Sequence, residues 1–165
     1  MVTLRKFKAG DLPQILEIER ETFPEPWNES FFRYIAGVSG DLFMVAEEEG
    51  RIIGYIVAEV RESSDKLRGE VLWGHILNVA VRAEKRSRGI GTLLMDFIEE
   101  KLESLKASQV LLEVRVSNTR AQSLYRRRGY IVTSRVKNYY VDEDALIMVK
   151  YLIAVSYTHL RAHET

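Results

Sequence analysis

The stretch Arg86-Ser87-Arg88-Gly89-Ile90-Gly91-Thr92-Leu93-Leu94 places arginines and two glycines directly before an apolar helical repeat. Glycine lets the backbone approach a ligand closely and adopt angles that a side chain forbids. The first turn of a helix has unpaired N–H groups and the positive end of the macrodipole, a setting that welcomes phosphate oxygens. A Gly-x-Gly before a helix is common, so the loop alone supports an anion cradle or simply a tight helix start. Glu113 interrupts the apolar run Val110 to Val116, a costly place for a charge without a task or a partner. A salt bridge with Arg115 or another neighbour is the simple alternative. Tyr125 lies seven residues after Asn118, two turns on and so on the same helix face. His75 is the one histidine outside the last twelve residues. A lone strand histidine is commonly satisfied by its surroundings.

The elements that must position these residues follow from local patterns. Val2 to Phe7 alternates as an edge strand, and Asp11 with Pro13 opens a helix carrying Leu12, Ile15, Leu16, Ile18 and Phe23. Phe23-Pro24-Glu25-Pro26-Trp27 breaks that helix. Asn28 caps a second, with Phe31, Phe32 and Ile35, ended by Gly37 to Gly40. Leu42 to Ala46 and Ile52 to Ala58 flank Glu48-Glu49-Gly50, the signature of a hairpin. Glu62 to Arg68 reads as a polar loop, and Val71 to Val81 as a buried central strand.

Ile90, Leu93, Leu94, Phe97, Ile98, Leu102 and Leu105 recur at spacings of three and four, the strongest helix in the chain. A strand over Val110 to Val116 precedes a helix capped by Asn118 and stopped by Gly129. Tyr130 to Val136 and Ala145 to Leu152 complete a sheet, with Asn138 to Asp144 as a polar turn. Arg126-Arg127-Arg128 closes a helix where positive charge suits the dipole, and no further role is assigned to it.

The chain has 165 residues, 46% of them hydrophobic and 29% charged, which fits one globular domain. Lysine plus arginine number 24, as do aspartate plus glutamate, a balance that speaks against nucleic acid as a partner. No apolar run reaches the ~20 residues that span a bilayer, and Arg5, Lys6 and Lys8 interrupt any signal-peptide core. With no cysteine there is no disulfide, thiolate metal site or cysteine nucleophile. We expect a cytoplasmic protein, a monomer or weak dimer, without a membrane or metal partner. Residues 154–165 continue none of the patterns and resemble a translated cloning sequence, so we expect a non-native or disordered tail. His159 and His163 there have metal-binding helical spacing but no third ligand.

Together the motifs resemble the GNAT acetyltransferases. In that family an Arg/Gln-x-x-Gly-x-Gly/Ala loop binds the pyrophosphate of acetyl-coenzyme A, and Arg86 to Gly91 matches it fully. The resemblance covers about residues 1 to 152 and implies an α/β domain over 1–153, a mixed sheet of about seven strands with about four helices. Gly74-His75-Ile76-Leu77-Asn78-Val79-Ala80-Val81, Leu112-Glu113-Val114-Arg115-Val116-Ser117-Asn118, Ala121-x-x-Leu124-Tyr125 and Asn138-Tyr139-Tyr140 are similar to the N-terminal α-amine acetyltransferases. Both the archaeal enzymes and the bacterial ribosomal-protein-alanine enzyme share these runs.

That resemblance implies acetyl transfer from acetyl-coenzyme A to the α-amine of protein or peptide N-termini, ribosomal proteins among them. With no cysteine to carry the acetyl group, direct attack in a ternary complex is expected. The rivals are acetylation of small-molecule amines and a non-catalytic coenzyme-binding scaffold. By resemblance Arg86, Arg88, Gly89, Ile90, Gly91, Thr92 and Leu93 grip the pyrophosphate, Val79 and Val81 line the pantetheine arm, and Asn118 and Tyr125 also contact the coenzyme. An N–H near Val79 would stabilise the oxyanion. Glu113 matches the general base, acting through water on an amine that titrates near pH 8. Tyr125 matches the general acid for the thiolate, and His75 an alternative base. Glu25, Asn78, Tyr139 and Tyr140 would meet the substrate, Glu25 contacting the peptide's N-terminus or helping in proton removal and the tyrosine pair clamping its backbone. An exposed aromatic pair in a turn otherwise has little to do.

Overall fold

The computed structural model describes residues 1–67 and 69–152. Eleven main elements follow in the order β1 (Val2–Lys6), α1 (Leu12–Thr22), α2 (Glu29–Ser39), β2 (Phe43–Glu48), β3 (Arg51–Asp65), β4 (Gly69–Val81), α3 (Ile90–Ser104), β5 (Gln109–Arg115), α4 (Thr119–Arg127), β6 (Ile131–Val136) and β7 (Ala145–Tyr151). The strands form one mixed seven-stranded sheet in the order β1-β2-β3-β4-β5-β7-β6. β4 is therefore the middle strand and β1 an edge, as their patterns predicted. β4 and β5 run parallel, pairing at Gly74↔Val110 and His75↔Leu111. β7 inserts antiparallel between β5 and β6.

Contacts within the chain cluster in two compact units, Met1–Glu59 with Ile76–Lys101, and Val60–His75 with the residues from Leu102 on. In the first, α1 and α2 lay Leu12, Ile15, Leu16, Ile18, Phe32 and Ile35 over Phe43, Val45, Tyr55 and Val57. In the second, Val110, Leu112, Val114, Tyr125, Tyr130, Met148 and Val149 are buried. There a Cβ on Gly74 would stand 2.4 Å from Leu102 Cδ1, so any larger residue requires the Leu102 side chain to shift.

Three sequence expectations need correction. The 62–68 stretch is not loop over most of its length, because β3 runs on to Asp65. Arg61 to Ser64 are exposed, so no apolar alternation marked them, yet the Trp73 indole donates to Ser63 Oγ at 2.9 Å and Arg61 lies 6.0 Å from the Trp73 ring centre. Asp11 occupies the N-cap of α1 but makes no side-chain cap; its carboxylate takes the Lys8 N–H at 2.8 Å and both Arg5 amino groups. α2 ends at Ser39 with Gly40 as its C-cap, inside the Gly37 to Gly40 stretch expected to end it. β4 is buried only at Gly74, Ile76 and Ala80, its other residues being partly or largely exposed. The proposed tail and its two histidines lie outside the described residues.

Candidate active site

The first unit holds the glycine loop. Arg82 is buried and anchors the chain ahead of it, its N–H bonding Ile53 O at 2.8 Å and its Nε Ile52 O at 2.7 Å. The backbone then passes through positive φ at Ser87 and Gly89, and Leu93 N–H closes the first turn of α3 on Gly89 O at 3.0 Å. Helix geometry leaves the N–H groups of Ile90, Gly91 and Thr92 without intrahelical acceptors. A Cβ on Gly89 would meet nothing within 4 Å, so the space beside this glycine is open. Free N–H groups at a helix start favour phosphate oxygens. Arg88 is exposed beside it. Arg86 is differently employed: its Nε donates to Val81 O at 3.0 Å and its Nη2 to Thr22 Oγ1 at 3.2 Å. It braces the loop against β4 and α1.

Val79 and Val81 are half-buried on β4, as is Asn78. Asn78 belongs to a cluster that sequence reasoning missed. Glu19, 1% exposed, accepts from Trp27 N–H at 2.9 Å and Asn78 Nδ2 at 2.7 Å, and from the Tyr55 hydroxyl. Burial pushes the Glu19 carboxyl above its ordinary range, against the pull of these three donors. Burial, then the nearby Glu19 carboxylate, raises Tyr55 well above its usual value. The available signal was a glutamate four residues after Ile15 and three after Leu16, on the apolar face of α1. Glu25 stands exposed in the loop that Trp27 N–H ties to Glu19.

The second unit brings together most of the proposed acid–base groups. His75 pairs in register with Leu111, and Glu113, two residues on, shares its face of the sheet. His75 Nε2 lies 2.8 Å from each Glu113 oxygen. The two side chains are 18% and 14% exposed. Glu113 therefore pairs with His75. The Tyr139 hydroxyl also bonds Glu113; burial, then this carboxylate, pushes Tyr139 upward. Arg115 holds the β6–β7 turn, reaching Asp142 at 2.7 Å and Glu143 at 3.2 Å. Its guanidinium carbon sits 4.1 Å from the centre of the Tyr140 ring, a cation–π contact. Tyr139 and Tyr140 meet edge to face at 4.9 Å.

Tyr125 lies on α4 with its ring 5.9 Å from that of Tyr130. Burial pushes its hydroxyl up to about 12, so the proton stays on it throughout the neutral range. Asn118 caps α4, accepting Ala121 N–H at 3.1 Å, and is otherwise exposed.

The family model described as "Acetyltransferase (GNAT) family" matches residues 12–130. The chain belongs to the GNAT acetyltransferase family. An uncharacterised N-acetyltransferase of Methanocaldococcus jannaschii is 38% identical over 151 residues, covering 89% of this chain and 90% of that protein. An N-alpha-acetyltransferase of Saccharolobus solfataricus is 35% identical over 156 residues, with 90% and 92% covered. Among solved structures, Chaetomium thermophilum Naa20 in complex with a bisubstrate analogue superposes with a TM-score of 0.82 at 34% identity, over 90% of this chain and 86% of that one. The GNAT fold and an acetyl-coenzyme A-dependent N-acetyltransferase are thus as the sequence resemblance implied. Among the described residues, no helix is long and apolar enough to cross a membrane.

Proposed function

We propose that this GNAT enzyme acetylates the N-terminal α-amine of proteins or peptides by direct attack in a ternary complex. The observation that carries the reading is the Glu113 carboxylate, held between His75 and Tyr139. It joins a proton acceptor to the tyrosine turn that would lie along a peptide. Acetyl-coenzyme A, when bound, supplies a thioester carbonyl to the amine. The Ile90, Gly91 and Thr92 N–H groups with Arg88 hold its pyrophosphate, Arg86 keeps the loop in shape, and Val79 and Val81 offer strand backbone to the arm. Asn118 is available to contact the coenzyme beyond its own cap.

Glu113 accepts the proton that leaves the α-ammonium, directly or through water, while His75 holds the carboxylate and can take the proton on. An α-amine titrates near pH 8, so this removal is only mildly uphill. Tyr125 retains its proton, which suits a donor to the departing thiolate. Tyr139 and Tyr140 line the peptide backbone. Glu25 and Asn78 meet its first residues.

The test is acetylation of a library of N-terminal peptides, ribosomal-protein N-termini included, read by mass beside polyamine and aminoglycoside amines. Preferential acetylation of peptide α-amines is expected. Transfer confined to small amines, or coenzyme binding without transfer to any amine, overturns the proposal.

A further inference from the structure

A carboxylate set into the apolar face of a helix needs partners, and those of Glu19 are unusual in being neutral. The Trp27 N–H, the Asn78 amide nitrogen and the Tyr55 hydroxyl all converge on it, and no cation pairs with it among the described residues. Asn78 Nδ2 also lies 3.2 Å from the Tyr55 hydroxyl oxygen. A carboxylate only accepts hydrogen bonds. The Asn78 NH2 is turned toward Glu19, its Nδ2 donating at 2.7 Å, where the ionised carboxylate would repel the amide carbonyl. The other end of the amide, Oδ1, makes no hydrogen bond among the described residues, and the residue is half-buried on β4 immediately before Val79.

We propose that Glu19 is a positioning residue for amine recognition: it locks the Asn78 amide so that Oδ1 accepts an N–H from the α-amine of the substrate. The inference rests on the functional reading above and gives Asn78 a definite chemical role within it. A free asparagine presents donor or acceptor with little preference, and a donor turned toward an ammonium repels it. Glu19 removes that ambiguity without placing a counter-charge against the amide. Through Trp27 N–H the same carboxylate also holds the loop that carries Glu25.

Glu19→Gln tests this by inversion. Gln keeps the shape but turns one oxygen into a donor. The Trp27 N–H cannot reorient, whereas the Tyr55 hydroxyl can rotate and the Asn78 amide can flip. The Gln carbonyl therefore settles on Trp27, its NH2 faces Asn78, and Asn78 turns over to present Nδ2 to the substrate. KM for the best peptide of the library should rise about tenfold or more, the scale of one lost hydrogen bond to a charged group. The kcat and the KM for acetyl-coenzyme A should change little. Adding Asn78→Asp should restore the peptide KM, because a carboxylate accepts from the Gln NH2 and still offers an acceptor to the amine.

An unchanged peptide KM in Glu19→Gln, or a double variant no better than the single, overturns the proposal. If Glu19→Gln fails to fold, judged by its thermal melt, Asn78→Leu must show the same KM rise, and an unaltered KM is equally fatal. Should the wild type acetylate small amines but no peptide, the functional reading falls by itself. The same variants compared on that amine still decide the role of Glu19.

Discussion

His75 Nε2 stands 2.8 Å from both oxygens of Glu113, so the two residues form one proton-holding unit across the parallel β4–β5 pair. Groups that work as a unit show strongly non-additive losses. Glu113→Gln should lower kcat by about 10²-fold or more, and His75→Phe should lower it less. The double variant should be no worse than about the Glu113 variant alone. Steady-state kinetics of the three decide this, and a multiplicative double loss would show two independent roles.

Tyr125→Phe keeps the buried ring against Tyr130 and deletes only the hydroxyl. Turnover should fall by about 10²-fold or more while coenzyme affinity stays within a few-fold. Equilibrium binding and single-turnover rates separate the two quantities. Unchanged turnover would leave Tyr125 a packing residue.

Gly89→Ala places a side chain at φ +80° with open space around it, so the harm comes from the backbone angle and not from a clash. The strain is about 1–2 kcal/mol, and relieving it reshapes the turn. Both melting temperature and acetyl-coenzyme A affinity should drop. A lower melting temperature with unaltered coenzyme affinity would mean that the glycine serves only the turn.

Asp11 is buried, which by itself raises its pKa, yet the Arg5 guanidinium and the Lys8 N–H outweigh burial and hold it below its ordinary value. A depressed folded-state pKa stabilises the protein above the unfolded value and loses that contribution as pH falls through the folded one. The wild type should therefore lose stability below about pH 4, the ordinary aspartate range. Asp11→Asn should be less stable at neutral pH by about 1–3 kcal/mol and show a flatter acid limb. Denaturant melts between neutral and acid pH measure both, and parallel pH profiles would refute the assignment.

Local periodicity and punctuation in the sequence determined the elements, their order and the glycine loop. The apolar repeat after Gly91, the Asn28 and Asn118 caps and the Pro24–Pro26 break are all short-range effects, and each appears in the structure. The sequence also singled out Glu113, because a charge within an apolar strand signals its own cost. What it left open was the partner. Arg115 is closer along the chain, but strand pairing brings His75 to Glu113, and Arg115 turns to the acids of the β6–β7 turn. Arg86 carried a loop-binding signature and proved to brace the backbone as well. The Glu19 cluster depends on residues from α1, the following loop, β3 and β4. No local pattern records which donors will converge on one buried carboxylate, since that convergence exists only after helix and strands have packed.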